Sequence, residues 1–136
     1  MAIEWKEEYS TGVNKIDEQH RKLFTFLNDL EELITQGIDS KLKVDKLLTS
    51  LGTDTQKHFS FEENCMKQYN CPVAQENKEA HNQFLNLFGN FQNERKAKGS
   101  SISFLKSFHK TAESWVVNHI CNIDVHLKSC VDRNRA

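Results

Sequence analysis

Residues that form tight turns are scarce in this sequence, which contains 1 proline and 5 glycines among 136 residues. A β-sandwich or barrel joins many short strands by tight turns, for which proline and glycine are the usual residues. The composition therefore disfavours such folds and favours helices. A chain of this length is typical of one domain with a single buried core.

Cysteine pairs with the spacing C-x-x-C are absent, which weakens zinc-ribbon and thioredoxin-like interpretations. The first ten residues, MAIEWKEEYS, are acidic and lack the apolar stretch of an export signal. We therefore expect the protein to be cytoplasmic and its cysteines to be reduced, behaving as small hydrophobic residues. The four cysteines are Cys65, Cys71, Cys121 and Cys130.

Neither an excess of charge nor a long hydrophobic run is present. The sequence has 18 Lys and Arg against 19 Asp and Glu, so it has no basic field that could attract phosphate backbones. No stretch approaches the roughly 18 apolar residues that a membrane-spanning helix requires. We expect neither a nucleic-acid partner nor insertion into a membrane.

Four segments do show a strong pattern, in which inward positions recur at the period of one helix face. Four amphipathic helices with short connections predict an all-α, up-down-up-down antiparallel four-helix bundle at about residues 14–131. The first face contains Ile16, His20, Leu23, Leu27, Leu30 and Ile34. The second contains Val44, Leu48, Leu51, Thr55, His58, Glu62, Cys65 and Tyr69. The third contains Ala74, Asn77, His81, Phe84, Phe88 and Phe91, and the fourth Ile102, Leu105, Phe108, Ala112, Trp115, His119 and Ile123.

The first 13 residues contain Trp5 and Tyr9 but no helical period, so we predict an N-terminal arm over residues 1–13. We expect this arm to cross the bundle, with both aromatic side chains covering one end. Asn14 is predicted to be the N-cap of the first helix, with Asp17 in its first turn.

Six polar residues interrupt the apolar faces at what the antiparallel arrangement predicts to be one depth. They lie near the starts of the first and third helices and near the ends of the second and fourth, and such ends meet in a bundle. Burying them without partners would cost on the order of several kcal/mol, so they are expected to converge on a metal site. They are His20, His58, Glu62, His81, His119 and Asp124.

Two spacings within this group are informative. His58 and Glu62 are four residues apart and therefore lie on one face of a helix. His119 and Asp124 are five apart, which separates them by about 140° on a regular helix. Both reach one site only if the helix is distorted, so we predict a single-turn π-bulge within residues 119–124.

Histidines dominate the predicted site, and imidazole suits zinc, copper, iron and nickel alike. Six ligands are too many for one tetrahedral ion, and the absence of thiolate pairs argues against structural zinc. A ferritin-like site would need Glu-x-x-His motifs, which the sequence lacks. Iron is the preferred interpretation. We expect His109 and His126 to lie outside the site, at the surface or at helix ends, and Glu63 to face solvent or to support a ligand.

Taken together, these residues resemble the hemerythrin family, in its bacterial branch, over nearly the whole chain. The resemblance implies that residues 1–136 form a single hemerythrin-like domain with two non-heme iron ions per chain. It also implies that Glu62 and Asp124 bridge the irons beside an oxo or hydroxo group. The matching positions are Trp5, Tyr9, Gly12, Ile16, Asp17, Glu18, Gln19, His20, His58, Phe59, Glu62, Glu63, Met66, Tyr69, Pro72, His81, Phe84, Trp115, His119, Ile120 and Asp124.

By the same resemblance, His20 and His58 hold the iron that is open to dioxygen, and His81 and His119 hold the other. Family members normally have a further histidine four residues before the one matched by His81, whereas this sequence has Asn77. An amide oxygen is a weak ligand, so we expect fast autoxidation and a role in oxygen or redox sensing.

Three functions are open at this point. The protein is expected to bind dioxygen, nitric oxide or azide-like anions as a carrier, store or sensor. A di-iron redox enzyme, such as a peroxidase or a nitric oxide reducing protein, is less favoured, because Glu63 is the one evident additional acid or base near the site. A signalling module would have a fused or separate output domain as its partner, since family members occur in such fusions.

Overall fold

The computed structural model describes residues 3–37, 41–99 and 101–135. Within these ranges the chain is helical and has no β-strand. A 3₁₀ helix, Glu7–Tyr9, precedes the first long helix, and a π-helical segment, Ile120–Asp124, follows the fourth. The α-helices are α1 (Asn14–Thr35), α2 (Lys41–Gln68), α3 (Ala74–Lys98), α4 (Ile102–His119) and α5 (His126–Arg135).

The first four α-helices form the predicted antiparallel bundle. α1 packs against α2 and α4, and α3 packs against the same two helices, so the four surround one core. Each helix buries one face, and all six inward positions predicted for α1 are buried. Between α3 and α4, Phe91 stacks on Phe108 with ring centres 3.8 Å apart. No helix in the described ranges has both the length and the apolar character needed to cross a membrane.

The core consists of two apolar clusters with a polar layer between them. The larger cluster fills most of the bundle, and the smaller one closes one end with Ile16, Met66, Leu127 and their neighbours. On α1, His20 lies between Ile16 of the smaller cluster and Leu23 of the larger one. On α2, Glu62 likewise lies between Phe59 of the larger cluster and Met66 of the smaller one. Asp124 lies between Ile120 of the larger cluster and Leu127 of the smaller one. The polar residues predicted to form a site are therefore flanked by hydrophobic side chains on both sides.

The N-terminal arm runs along α1, so the prediction that it crosses one end of the bundle is wrong. Asn28 holds the arm, because its Oδ1 accepts a hydrogen bond from Ile3 N at 2.8 Å and its Nδ2 donates to Ile3 O at 3.0 Å. Trp5 and Tyr9 both pack against Phe24, with ring centres 6.2 and 5.6 Å away. These contacts follow α1 from its middle toward its start, so the arm is antiparallel to the helix.

The start of α1 is fixed by Asp17 and not by the predicted cap. Asn14 is the first helical residue, and Val13 occupies the N-cap position without a side-chain hydrogen bond. The buried carboxylate of Asp17 accepts hydrogen bonds from the backbone N and the hydroxyl group of Thr11, both at 2.9 Å. A carboxylate in the first turn also interacts favourably with the helix dipole.

Two of the four cysteines form a disulfide, so the prediction that all four are reduced is wrong. Cys71, in the turn between α2 and α3, is bonded to Cys130 on α5, and their Cα atoms are 5.5 Å apart. The two are separated by 59 positions and meet only because α5 lies against this turn. Cys65 and Cys121 are free thiols, as predicted.

Candidate metal centre

The π-helical segment brings His119 and Asp124 together despite their spacing of five residues. Val125 N donates to Ile120 O at 3.0 Å, and a hydrogen bond to the carbonyl five residues earlier is characteristic of π geometry. The additional residue in this turn places Asp124 on the face of His119, whose Nε2 is 2.9 Å from Asp124 Oδ1. The predicted bulge is confirmed.

The carboxylate of Glu62 lies at the centre of four imidazoles. This side chain is completely buried. Its Oε2 is 3.4 Å from Nε2 of both His20 and His58. Its Oε1 is 3.1 Å from Nε2 of His81 and 3.8 Å from Nε2 of His119. The two oxygens of one carboxylate therefore face different pairs of histidines.

The two carboxylate oxygens of Asp124 also face different histidines. Its Oδ2 is 3.1 Å from Nε2 of His20, and its Oδ1 is 2.9 Å from Nε2 of His119. Two overlapping groups of ligand atoms result, and the atoms of each group lie within 4.8 Å of one another. The first donor set is His20, His58, Glu62 and Asp124, and the second donor set is Glu62, His81, His119 and Asp124. Both carboxylates therefore belong to both donor sets.

Several of these atoms approach one another closely without forming hydrogen bonds. Nε2 of His20, Nε2 of His119, Oε2 of Glu62 and both carboxylate oxygens of Asp124 are buried and have no hydrogen-bond partner among the described residues. Buried polar groups are nearly always paired, so this cluster of unpaired imidazole nitrogens and carboxylate oxygens fits a cation site. Mixed imidazole and carboxylate donors suit a transition-metal ion.

Two of the histidines are oriented by polar partners behind them. His58 Nδ1 is 2.7 Å from Gln19 Oε1, and His81 Nδ1 is 2.9 Å from Glu63 Oε2. Because amide and carboxylate oxygens only accept, each Nδ1 carries a proton and donates it. When such an imidazole binds a metal ion, Nε2 is the nitrogen that faces Glu62. Glu63 therefore orients His81, one of the predicted ligands.

Aromatic rings restrict the orientation of the other side of the site. His81 stacks on Phe59, with ring centres 3.8 Å apart and planes inclined by 7°. His119 stacks on Trp115, with ring centres 4.6 Å apart and planes inclined by 11°. Stacking of this kind hinders rotation of the imidazole, so Nε2 of both histidines stays directed at the carboxylates.

The electrostatics of the site favour bound positive charge. Burial lowers the pKa of His20 and of His119, but the adjacent carboxylates of Asp124 and Glu62 outweigh it and raise each pKa to about 9. For His58 burial dominates and the pKa is lowered. Burial raises the pKa of Glu62, but the four surrounding imidazoles outweigh it and hold the pKa well below its usual range. Protons and a metal cation would therefore compete for the same nitrogen atoms.

Comparison with known proteins identifies the family to which this site belongs. Residues 11–131 match the hemerythrin HHE cation binding domain family. The chain is a member of the hemerythrin family. This family binds non-heme iron, and the two donor sets are compatible with a di-iron site.

Individual relatives agree with this assignment to the hemerythrins. A bacteriohemerythrin from Stenotrophomonas maltophilia is 27% identical over 116 residues, which cover 85% of this chain and 72% of the relative. A bacteriohemerythrin from Clostridium acetobutylicum is 26% identical over 122 residues, which cover 88% of this chain and 94% of the relative. A crystal structure of wild-type hemerythrin matches with a TM-score of 0.85 at 23% identity, over 96% of this chain and 98% of that one, which shows a shared fold.

On α3 of this hemerythrin bundle, a buried asparagine accompanies His81. Asn77 lies on α3, four residues before His81 and on the same helix face, and it is completely buried. Neither its Oδ1 nor its Nδ2 has a hydrogen-bond partner within the described part of the chain. Leaving a buried polar group unpaired costs about 1–3 kcal/mol, and no described side chain offsets this cost for the amide.

An apolar pocket borders the first donor set. Four of the residues that line it are His20, His58, His119 and Asp124. The pocket leaves room for about one water-sized molecule. Mostly hydrophobic walls favour a small, weakly hydrated ligand over a hydrated ion. The remaining walls are Leu23, Leu27, Leu51, Thr55, Phe59, Phe84, Trp115, Val116 and Ile120.

Sequence reasoning misjudged one histidine and missed one orienting residue. His109 is buried, and its Nε2 donates to Leu27 O at 2.9 Å, so the prediction that it lies at the surface or at a helix end is wrong. His126 is exposed at the start of α5, as predicted. Gln19 was not recognised as the partner of His58, because a neighbour from a different helix leaves no mark on the local sequence pattern.

Proposed function

We propose that this chain is a non-heme di-iron protein that binds dioxygen. The first donor set would hold one iron ion and the second donor set the other, with Glu62 and Asp124 shared between the two sets. The observation that carries the proposal is the division of carboxylate oxygens between His20 and His119. A single ion would leave part of this buried ligand set unused, which the cost of burying polar groups disfavours.

The apolar pocket supports binding of a small ligand beside the first donor set. A di-iron pair supplies electrons to dioxygen and also accepts nitric oxide or azide-like anions. The protein's own contribution is a space of suitable size, lined by residues such as Leu23, Leu51 and Phe84, from which bulk water is excluded. Exclusion of water strengthens electrostatic interactions with a bound ligand.

Asn77 favours a sensor over a carrier. Its amide oxygen is at most a weak, neutral ligand, so the ion next to His81 has one strong ligand fewer than an additional histidine would give it. A bound iron pair would then be more open to small anions, and its oxidation by dioxygen with release of hydrogen peroxide would be favoured over reversible binding. We therefore expect fast autoxidation, which converts exposure to oxygen into a lasting ferric state that an output domain or a partner protein detects.

A di-iron redox enzyme is the second candidate, and one observation favours it. The Glu63 side chain is 30% exposed, and its Oε2 is 2.9 Å from His81 Nδ1. This carboxylate connects the site to solvent and is positioned to pass protons, which a peroxidase or a nitric oxide reducing protein would need. Sustained turnover of peroxide or nitric oxide with an added reductant, reduced by Glu63→Gln, would favour the enzyme over the sensor.

The direct test of the proposed function is anaerobic reconstitution of metal-free protein with ferrous iron, followed by admission of air. We expect two iron ions to bind per chain, and air to produce a stable ferric spectrum that persists when oxygen is removed. A spectrum that reverses on removal of oxygen would indicate a carrier. Uptake of no more than one iron per chain would contradict the proposed centre.

A further inference from the structure

Thr55 lines the apolar pocket and carries a buried hydroxyl group. It lies on α2 three residues before His58, so the two side chains share a helix face. Thr55 is 2% exposed, and its Oγ1 has no hydrogen-bond partner among the described residues. It is the only hydroxyl-bearing residue in the walls of this pocket.

Two other helical threonines satisfy their hydroxyl groups locally. Thr25 Oγ1 donates to Arg21 O at 3.1 Å, and Thr111 Oγ1 donates to Ser107 O at 3.0 Å. Both carbonyls belong to the residue four positions earlier, which is the usual acceptor for threonine within a helix. Thr25 and Thr111 are exposed and would have water as an alternative, whereas Thr55 is buried and makes no such bond.

A buried hydroxyl group without a partner disfavours folding, and valine would fill the same volume without that cost. The presence of threonine at position 55 is therefore explained if its hydroxyl group donates a hydrogen bond to a ligand that enters the pocket. The pocket also borders His20 and His58, so a ligand bound to the first donor set is within the same enclosed space.

We propose that Thr55 donates a hydrogen bond to a small ligand bound at the metal pair on the side of His20 and His58. This proposal rests on the proposed function. The hydroxyl group would favour ligands whose free end carries negative charge or an accepting lone pair, because hydrogen bonds to charged groups are stronger than those between neutral groups. Thr55 would thus determine ligand specificity without contacting the metal itself.

The test compares Thr55→Val and Thr55→Ser in oxidised, iron-loaded protein titrated with azide. We expect Thr55→Val to raise the Kd for azide by about tenfold, the effect of one lost hydrogen bond to a charged group. Thr55→Ser keeps the hydroxyl group and should bind azide nearly as tightly as the wild type. The infrared stretching frequency of bound azide should shift in Thr55→Val only. Thr111→Val, which removes a hydroxyl group outside the pocket, is the matched control and should change neither quantity.

Unfolding of the metal-free variants gives a second measurement that does not depend on iron. If the Thr55 hydroxyl has no partner within the protein, Thr55→Val should unfold at the same or a higher urea concentration than the wild type. A clearly lower midpoint would mean that the hydroxyl group stabilises the fold, which overturns the proposal.

Failure of this proposal is distinguishable from failure of the proposed function. If wild-type protein binds two irons and azide, and Thr55→Val binds azide equally tightly with an unchanged stretching frequency, only the role of Thr55 is overturned. If wild-type protein does not take up two irons, the proposed function fails, and the role of Thr55 fails with it.

Discussion

Glu62 and Asp124 each direct one carboxylate oxygen toward His20 and the other toward His119. The two residues come from different elements, α2 and the π-helical segment, so this arrangement depends on the closed bundle. It gives the site two overlapping groups of ligands around two shared carboxylates.

Replacing Glu62 with glutamine should abolish binding of the iron pair. The amide keeps the volume but removes the negative charge that the four imidazoles surround, and one bridging ligand is lost. Iron content, measured after reconstitution and gel filtration, should fall from two per chain to less than one. Glu113→Gln is a matched control, because Glu113 also stands four residues after a histidine, His109, but lies outside both donor sets. Equal iron content in Glu62→Gln and wild type would contradict the bridging role.

Introducing a histidine at position 77 should slow autoxidation. Asn77→His adds a strong ligand next to His81, so the second ion is less open to anions that assist loss of peroxide. We expect the rate, measured by stopped-flow mixing of ferrous protein with oxygenated buffer, to fall by roughly tenfold, which corresponds to about 1.4 kcal/mol in the barrier. Asn77→Leu, which adds no ligand, should remain fast. Unchanged rates in Asn77→His would remove the argument for sensing.

Removing the orienting partner of a histidine should weaken iron binding without abolishing it. Gln19→Leu leaves His58 Nδ1 without its acceptor, and loss of such a partner typically lowers metal affinity by about 10- to 100-fold. Competition with a chelator of known affinity would measure the change. Glu18→Leu, at an adjacent exposed position, should retain wild-type affinity. If both variants retain it, Gln19 does not orient the ligand.

Breaking the disulfide should destabilise the fold while leaving the site able to bind iron. Cys71→Ser releases a crosslink that spans 59 positions, and the chain-entropy account of disulfides gives a loss of about 4 kcal/mol in the free energy of unfolding. Urea unfolding of the metal-free protein would measure it. The control is Cys121→Ser, which replaces an exposed free thiol and should have little effect. A Cys71→Ser variant as stable as the wild type would mean that the crosslink contributes nothing.

The spacing of residues carried much of the information about the fold and the site. Inward faces with helical period predicted the bundle, and the five-residue interval between His119 and Asp124 predicted the π-helical turn, because a regular helix cannot direct both toward one point. Features that depend on contact between distant segments were not predictable. The pairing of Cys71 with Cys130 and the burial of His109 against the Leu27 carbonyl both arise only when helices pack.

Local capping rules also failed where a tertiary contact replaced them. Asn14 has the residue type of an N-cap, but the start of α1 is fixed by hydrogen bonds from Thr11 to Asp17. The same competition accounts for the direction of the arm. Asn28 binds both backbone groups of Ile3, which draws the arm along α1 and away from the end of the bundle.

The central claim is that two iron ions share the carboxylates of Glu62 and Asp124, and magnetic coupling tests it most directly. Two ferric ions with common bridging ligands couple antiferromagnetically, whereas isolated ferric ions remain paramagnetic. Oxidised protein reconstituted with iron should therefore give no ferric signal in low-temperature electron paramagnetic resonance while containing two irons per chain. A strong signal from uncoupled high-spin ferric ions that accounts for all the bound iron would contradict the account.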